Sequence, residues 1–435
     1  MEPVSIGLVG IVYLLAVLFL FNIPVGFAMA LVGFAGFSIV VSPQAALSSV
    51  ASEMWRIFSS YGLAVIPFFI LMGNICFYAG VSERIYKAAH AWFGHVRGGI
   101  AMATIMACAG FASICGSNAA TAATMSAVAL PEMKKLGYDK RLSAGCVASG
   151  ATLGVVIPPS VVLIVIGLYT GKSIARLFFA SLIPGLLLCV LLMASVWLLC
   201  LLRPGLGPSA RRATLRQRLK SLPGSIEMVI LFLLVMSGLY LGWFTPTEAG
   251  AAGSFFALLI VFAGRTITFS RLRAAIEDSV KTSCMIIMIV AGAVIFGKFM
   301  SITRLPFEVA GTVAGLEVPR FFILALMLVI YVVGGAIMDA LGLLMITIPI
   351  FFPVAEKLGY DPLWFSVIIT IITTLGAITP PVGINTFVVA GSAKDIPLET
   401  VFRGVSYFIP AFVICILLLL IFPGLVTWLP GFMVR

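Results

Sequence analysis

The sequence predicts an all-α, polytopic membrane protein of two inverted halves, each with a re-entrant hairpin and a discontinuous helix. Three observations predict it: a composition that water cannot solvate, two apolar stretches too long for one crossing, and a motif that recurs 222 residues later. Of 435 residues, 62% are hydrophobic and 10% charged, with a mean hydropathy of +1.19. A soluble domain carries about 25% charged residues. Runs such as Ile183–Leu202 and Met228–Gly242 hold no charge, and about 20 apolar residues cross a ~30 Å hydrocarbon core. The bilayer is therefore this chain's solvent. Its formal charge of +11 reflects basic loops and not a nucleic-acid partner.

Spans are expected at about 5–22, 25–42, 62–80, 142–171, 177–202, 226–243, 246–264, 282–300, 363–391 and 404–429 from the apolar runs. Ile6–Phe21 lacks a basic flank and a cleavage site, so it reads as a retained first span. Pro43–Ser60, Glu83–His95 and Phe269–Val280 mix polar and apolar residues at helical spacing. They read as interfacial amphipathic arms, with plain loops as the alternative. Threading the spans gathers most Lys and Arg on one face, among them Lys134, Lys140, Arg203, Arg211, Arg212, Arg216, Arg218, Lys220, Lys394 and Arg403. By the positive-inside rule that face is cytoplasmic and both termini are outside. The Arg211–Lys220 run reads as a topology loop, anionic lipid being the alternative partner.

Two apolar stretches, about 98–131 and 320–353, fit one span poorly. At 1.5 Å per residue, about 34 residues far exceed the hydrocarbon core. Each is interrupted by small and polar residues, Cys115-Gly116-Ser117-Asn118 in one and Met338-Asp339-Ala340-Leu341-Gly342 in the other. Two half-length helices turning back at a polar tip fit better, provided protein or a watery cavity covers the tip.

The motif is Lys-Leu-Gly-Tyr-Asp, at 135–139 and again at 357–361. The same offset pairs Pro131 with Pro353, Thr152 with Thr374, Gly154 with Gly376, and Pro158-Pro159 with Pro380-Pro381. An odd number of spans separates the two copies, so the halves are inverted, as is typical of secondary transporters.

Each Pro-Pro pair breaks a span at its midpoint, because proline lacks an amide donor and clashes with the preceding turn. Carbonyls freed at membrane depth are costly unless something binds them, and dehydrated Na⁺ suits such a cage. A kink satisfied by neighbouring helices is the alternative. Pairing across the offset proposes two Na⁺ sites. The first uses Ser113, Ser117 and Asn118 with carbonyls near Gly154 and Ile157, and Ser160. The second uses Gly335 and Asp339 with Gly376, Thr379 and Val382. Ser117, Asn118 and Thr379 either coordinate through side-chain oxygens or cap half-helices. Asp339 is an ion ligand or a polar cap. Half-helix starts at Asn118–Thr121 (Asn118, Ala119, Thr121) and Val382–Asn385 (Gly383, Asn385) would offer free amides to a substrate carboxylate. Lys298 is expected to snorkel to the outer interface.

No phosphate-binding loop and no nucleophile–base pair is evident, so the chain reads as a non-enzyme driven by an ion gradient and not by ATP. The eight Cys lack ligand-like spacing.

Several stretches resemble the large membrane subunit of TRAP (tripartite ATP-independent periplasmic) transporters, the DctM-like family. They are Cys-Gly-Ser-Asn-Ala-Ala-Thr (115–121), Leu-Pro-Glu-Met (130–133), Leu-Gly-Val-Val-Ile-Pro-Pro-Ser (153–160), Met-Asp (338–339), Pro-Ile-Phe-Phe-Pro (349–353) and Ile-Thr-Pro-Pro-Val-Gly-Ile-Asn (378–385). The resemblance implies an ion-transporter-type fold of elevator type in a bacterial inner membrane. It implies scaffold helices in 1–81 and 173–268, a transport domain in 82–172 and 269–392, and a C-terminal helix in 393–435. It also implies Na⁺-powered import of an organic acid anion, such as a dicarboxylate or sialic acid. A periplasmic substrate-binding protein and a separate small four-helix membrane subunit would be partners. The rival readings are a self-sufficient sodium–anion symporter and an anion channel.

Overall fold

The repeated Lys-Leu-Gly-Tyr-Asp has the same local structure twice. Gly137 and Gly359 sit at φ +73° and +80°, a left-handed conformation that only glycine adopts without penalty. There Tyr138 N–H donates to Met133 O and Gly137 N–H to Lys134 O, at 3.0 and 3.1 Å. Tyr360 and Gly359 likewise donate to Ala355 O and Glu356 O, each at 3.0 Å. These bond pairs end a helix in the Schellman manner. The aspartate caps the next helix: Asp139 accepts from Arg141 N–H at 2.8 Å, and Asp361 from Trp364 N–H at 2.9 Å. The tyrosine pins the base of the preceding hairpin. Tyr138 OH accepts from Ile100 N–H, and Tyr360 OH donates to Arg320 O, both at 3.2 Å.

The computed structural model describes residues 3–21, 23–209, 213–315, 318–393 and 395–433. Arg211, Arg212 and Lys394 of the expected basic face lie outside them. Among the described residues nine helices are long and apolar enough to cross a membrane, ten if one bent pair counts as a span.

Hairpin 1 pairs Gly99–Cys115 with Asn118–Lys135, and hairpin 2 pairs Arg320–Ile337 with Ala340–Lys357. Both turn back. Tyr331 and Thr347 are hydrogen-bonded at 3.0 Å, although 16 residues of straight helix would separate them by about 24 Å. The arms are each about half of the stretch, as expected: 17 and 18 residues in hairpin 1 and 18 each in hairpin 2. Each returning arm runs one turn past the apolar stretch, to Lys135 and to Lys357.

A broken span succeeds each hairpin. The first comprises Lys140–Ala151, Leu153–Val156 and Val161–Thr170; the second comprises Pro362–Gly376 and Ile384–Ser392. The Pro158-Pro159 and Pro380-Pro381 peptide bonds are both cis. The first broken span is almost wholly buried, and every residue from Trp364 to Gly376 is buried.

Three expectations change. The arm Phe269–Val280 and the span 282–300 are one continuous helix, Phe269–Ile302, since no Pro or Gly stands between them. The span 404–429 is instead Leu398–Val405 and Ile409–Ile421, bent by 42°, where Pro410 removes an amide donor. Lys298 does not simply snorkel: its Nζ lies 3.1 Å from Glu53 on the amphipathic helix Pro43–Phe58. Burial raises the Glu53 pKa, but hydrogen bonds and charges from Arg56 and Lys298 outweigh it and hold the carboxyl below its usual range.

Ion pairs between elements join residues that the span count puts on one face. Lys134 pairs with Asp395 at 2.6 Å, and Lys172 with Glu356 at 2.9 Å. Lys134 and Glu356 occupy equivalent positions in the repeat, and Lys172 is the equivalent of the residue before Asp395. The base of each hairpin is thus tied to the end of the other half's broken helix, with the charges exchanged. Lys134 also keeps the Asp395 carboxyl below the usual range.

Reversing one charge, Lys172→Glu, should destabilise the protein by about 1 kcal/mol or less. Adding Glu356→Lys should recover most of that loss in thermal melts. Tyr138→Phe, which strands the buried Ile100 N–H, should cost about 1–3 kcal/mol in the same assay.

Candidate functional site

Both hairpin tips open onto one cavity of about 240 Å³. Hairpin 1 contributes Ser117, Asn118, Ala119 and Ala120; hairpin 2 contributes Asp339, Ala340 and Leu341. Val155, Val161 and Val162 flank the first break. The opposite wall is Ile70 and Asn74 of Val65–Tyr78, with Thr282, Met285, Ile286 and Ile289 of the long helix. A larger cavity of about 460 Å³ surrounds Lys134, Lys140 and Asp395 at the base of hairpin 1 and contains none of the expected ligands.

Close backbone contact sets the tips against the breaks. A Cβ on Gly154 would lie 2.6 Å from Ser117 O. A Cβ on Gly376 would lie 2.6 Å from Val332 O, and one on Gly335 would lie 2.6 Å from Thr373 O. The offset-related tip residues Ser117 and Asp339 are both N-caps, accepting from Ala120 N–H (3.5 Å) and Leu341 N–H (3.1 Å). Capping occupies one acceptor position on each and leaves other lone pairs free.

The two breaks differ in how their backbones are satisfied. Pro158 and Pro159 stand where donors to the Gly154 and Val155 carbonyls would be. Those carbonyls and that of Ile157 accept no hydrogen bond among the described residues. Asn118 Oδ1 is buried without a hydrogen-bond partner among the described residues. This acceptor-rich set suits a hard cation. Ser160 caps Val161–Thr170 through Leu163 N–H, and Ser113 donates to Gly110 O at 2.7 Å.

The second break is largely satisfied from within. Gly376 O accepts from Thr379 N–H at 2.8 Å, and Thr379 Oγ1 donates to Leu375 O at 2.7 Å. Val382 and Gly383 N–H both donate to Ala336 O of hairpin 2, at 3.1 and 2.9 Å, and Asn385 N–H donates to Ala377 O at 3.0 Å. Of the amides expected free at Val382–Asn385, those of Val382, Gly383 and Asn385 are therefore spent, because the left-handed turn at Gly383 folds the chain back onto the hairpin; Asn385 Nδ2 is buried without a hydrogen-bond partner among the described residues. Gly383 and Asn385 are not among the cavity residues. Thr121 is also off the cavity, its hydroxyl donating to Ser117 O at 2.8 Å. Of the predicted substrate contacts, Asn118 and Ala119 reach the cavity, where their amides, first in the helix, have no intrahelical acceptor. Ile378 and Thr379 carbonyls accept no hydrogen bond among the described residues, beside a Thr379 hydroxyl whose lone pairs are free.

Two polar hairpin tips on one cavity suit a translocation site. Residues 12–425 match the family model for the tripartite ATP-independent periplasmic transporter, DctM component. The chain belongs to the DctM family. It is 32% identical, over 90% of each chain, to the C4-dicarboxylate TRAP transporter large permease protein DctM of Pseudomonas aeruginosa. The sialic acid TRAP transporter large permease protein SiaM of Vibrio cholerae is 29% identical, over 94% of this chain and 95% of that one. The isethionate TRAP transporter permease protein DctMQ of Oleidesulfovibrio alaskensis is 33% identical over 86% of this chain and 58% of its own length. In fold, the chain is similar to the YdaH transporter of Alcanivorax borkumensis, with a TM-score of 0.62 at 14% identity, covering 90% and 91% of the two chains. This DctM-family chain is thus a TRAP transporter large permease subunit and a multi-pass membrane protein.

The wall facing the tips was not anticipated from sequence. Asn74 carried a usable signal, as a lone amide within the apolar run Phe-Ile-Leu-Met-Gly-Asn-Ile-Cys-Phe. Ile70, Met285, Ile286 and Ile289 carried none, since an apolar residue in a span looks alike whether it faces lipid or a cavity.

Gly154→Ala and Gly376→Ala should each cost about 1–3 kcal/mol through overpacking. Lower melting temperatures together with lost uptake are expected for both.

Proposed function

We propose that this permease is the translocating subunit of a sodium-coupled importer of an organic acid anion. It would lie in the bacterial inner membrane with both termini periplasmic. A periplasmic binding protein would deliver the anion, and a separate small four-helix subunit would complete the complex. One observation carries the reading: among the described residues, the cavity between the tips is lined by no Lys, Arg or His and by one carboxylate, Asp339. An anion in such a site needs counter-charge, since burying an unpaired charge costs far more than one hydrogen bond returns. Cations can supply it. The Gly154, Val155 and Ile157 carbonyls with Ser117 Oγ and Asn118 Oδ1 would hold one Na⁺, and the Thr379 and Asp339 oxygens beside the second break another. Binding would then couple anion and cation, because neither is stable in the cavity alone.

The cavity lies between the tips and a wall formed by Val65–Tyr78 and the long helix, which supports an elevator motion of the hairpins and broken spans past that wall. We place the long helix with the fixed part, revising its expected position in the transport domain. At Gly26 and Gly292 its backbone touches that of Val25–Val40: a Cβ on Gly292 would lie 2.0 Å from Gly26 O. Such close small-residue packing makes a rigid helix pair.

Proteoliposome uptake tests the reading. It should need a Na⁺ gradient and the binding protein; uptake without the binding protein would favour a self-sufficient symporter, and non-saturating voltage-driven flux a channel. Ser117→Ala, Asn118→Ala and Thr379→Ala should each raise the Na⁺ concentration for half-maximal uptake about three- to tenfold, the worth of one lost oxygen ligand. An unchanged Na⁺ dependence in all three would remove these side chains from the cages.

A further inference from the structure

We infer that the cavity takes a compact organic anion with one acidic group on a hydrocarbon body, and disfavours dicarboxylates and polyhydroxylated sugar acids. The inference rests on the transport reading above and deepens it, because few of the side chains that line the cavity are polar and most are apolar.

At the hairpin tips, the Asn118 and Ala119 backbone amides and the Asn118 Nδ2 group can receive one carboxylate. On the wall facing the tips the polar side chains are Asn74 and Thr282. Asn74 Nδ2 donates to Ser279 Oγ at 2.9 Å, and Ser279 in turn donates to Ala275 O at 2.6 Å. One N–H of Asn74 is therefore committed and its amide plane is held. The rest of that wall is Ile70, Met285, Ile286 and Ile289, whose side chains carry no hydrogen-bond donor. A sugar acid would bring several hydroxyls against this wall. Each left unmatched weakens binding about tenfold or more.

A second carboxylate would fare no better. The lining already holds the Asp339 carboxylate and, among the described residues, no Lys, Arg or His. Two Na⁺ would balance Asp339 and one acid group, so a second acid would lie there without counter-charge.

The test is ligand-induced thermal stabilisation of the purified chain in detergent, in NaCl and in KCl. The probes are 4-methyl-2-oxopentanoate, succinate and N-acetylneuraminate at equal concentration. The first should raise the melting temperature in NaCl and the other two should not. Met285→Gln should weaken the first probe about tenfold, as a polar group in an apolar pocket does, while the ligand-free melting temperature is unchanged. Stabilisation by succinate or N-acetylneuraminate equal to or above the first probe overturns the inference, as does stabilisation by none of the three. An unaltered affinity in Met285→Gln does the same. Stabilisation that is equal in KCl and NaCl breaks the sodium-coupled reading instead, and leaves the substrate class standing.

Discussion

Inside a bilayer no water is present to satisfy a backbone group, and everything near the centre of this protein answers to that constraint. Two Pro-Pro pairs interrupt the most deeply buried spans, and each removes two amide donors where they cannot be replaced cheaply. The hairpins are the response. Their tips press against the breaks at Gly154, Gly335 and Gly376 so closely that no side chain would fit.

The response is not the same in the two halves. Ala336 of hairpin 2 accepts the Val382 and Gly383 amides just beyond the second break. Hairpin 1 brings an Asn118 oxygen that is buried without a hydrogen-bond partner among the described residues. A sequence repeat that is regular in its glycines and prolines thus carries two chemically distinct breaks. The difference lies in the tip residues, Gly116-Ser117-Asn118 against Met338-Asp339-Ala340. It also lies on the C-terminal side of each break, where Ser160 caps one helix and Gly383 turns into the other.

Much of the fold was legible in the sequence. Hydropathy located the spans, chain length exposed the hairpins, and the Lys-Leu-Gly-Tyr-Asp copies marked equal places in both halves. Each of these signals is local: a helix ending, a cap or an apolar run depends on neighbours within a few residues. The candidate site was legible only where it is also local, at Ser117, Asn118, Ala119 and Asp339. The Val382, Gly383 and Asn385 amides, expected free, are spent because their acceptors, Ala336 and Ala377, reach them only through the folded hairpin and turn.

By itself the sequence determined that the chain lives in lipid, that it holds two hairpins and two broken helices, and that polar tips and freed carbonyls lie together at the centre. Composition, proline chemistry and helix length suffice for that. Tertiary structure alone decided which oxygens remain unpaired, that both tips open on one cavity, and that its far wall is Asn74, Thr282 and four apolar side chains. Those facts depend on contacts between residues about 200 positions apart, such as Asn74 with Ser279. No periodicity within a helix can encode them.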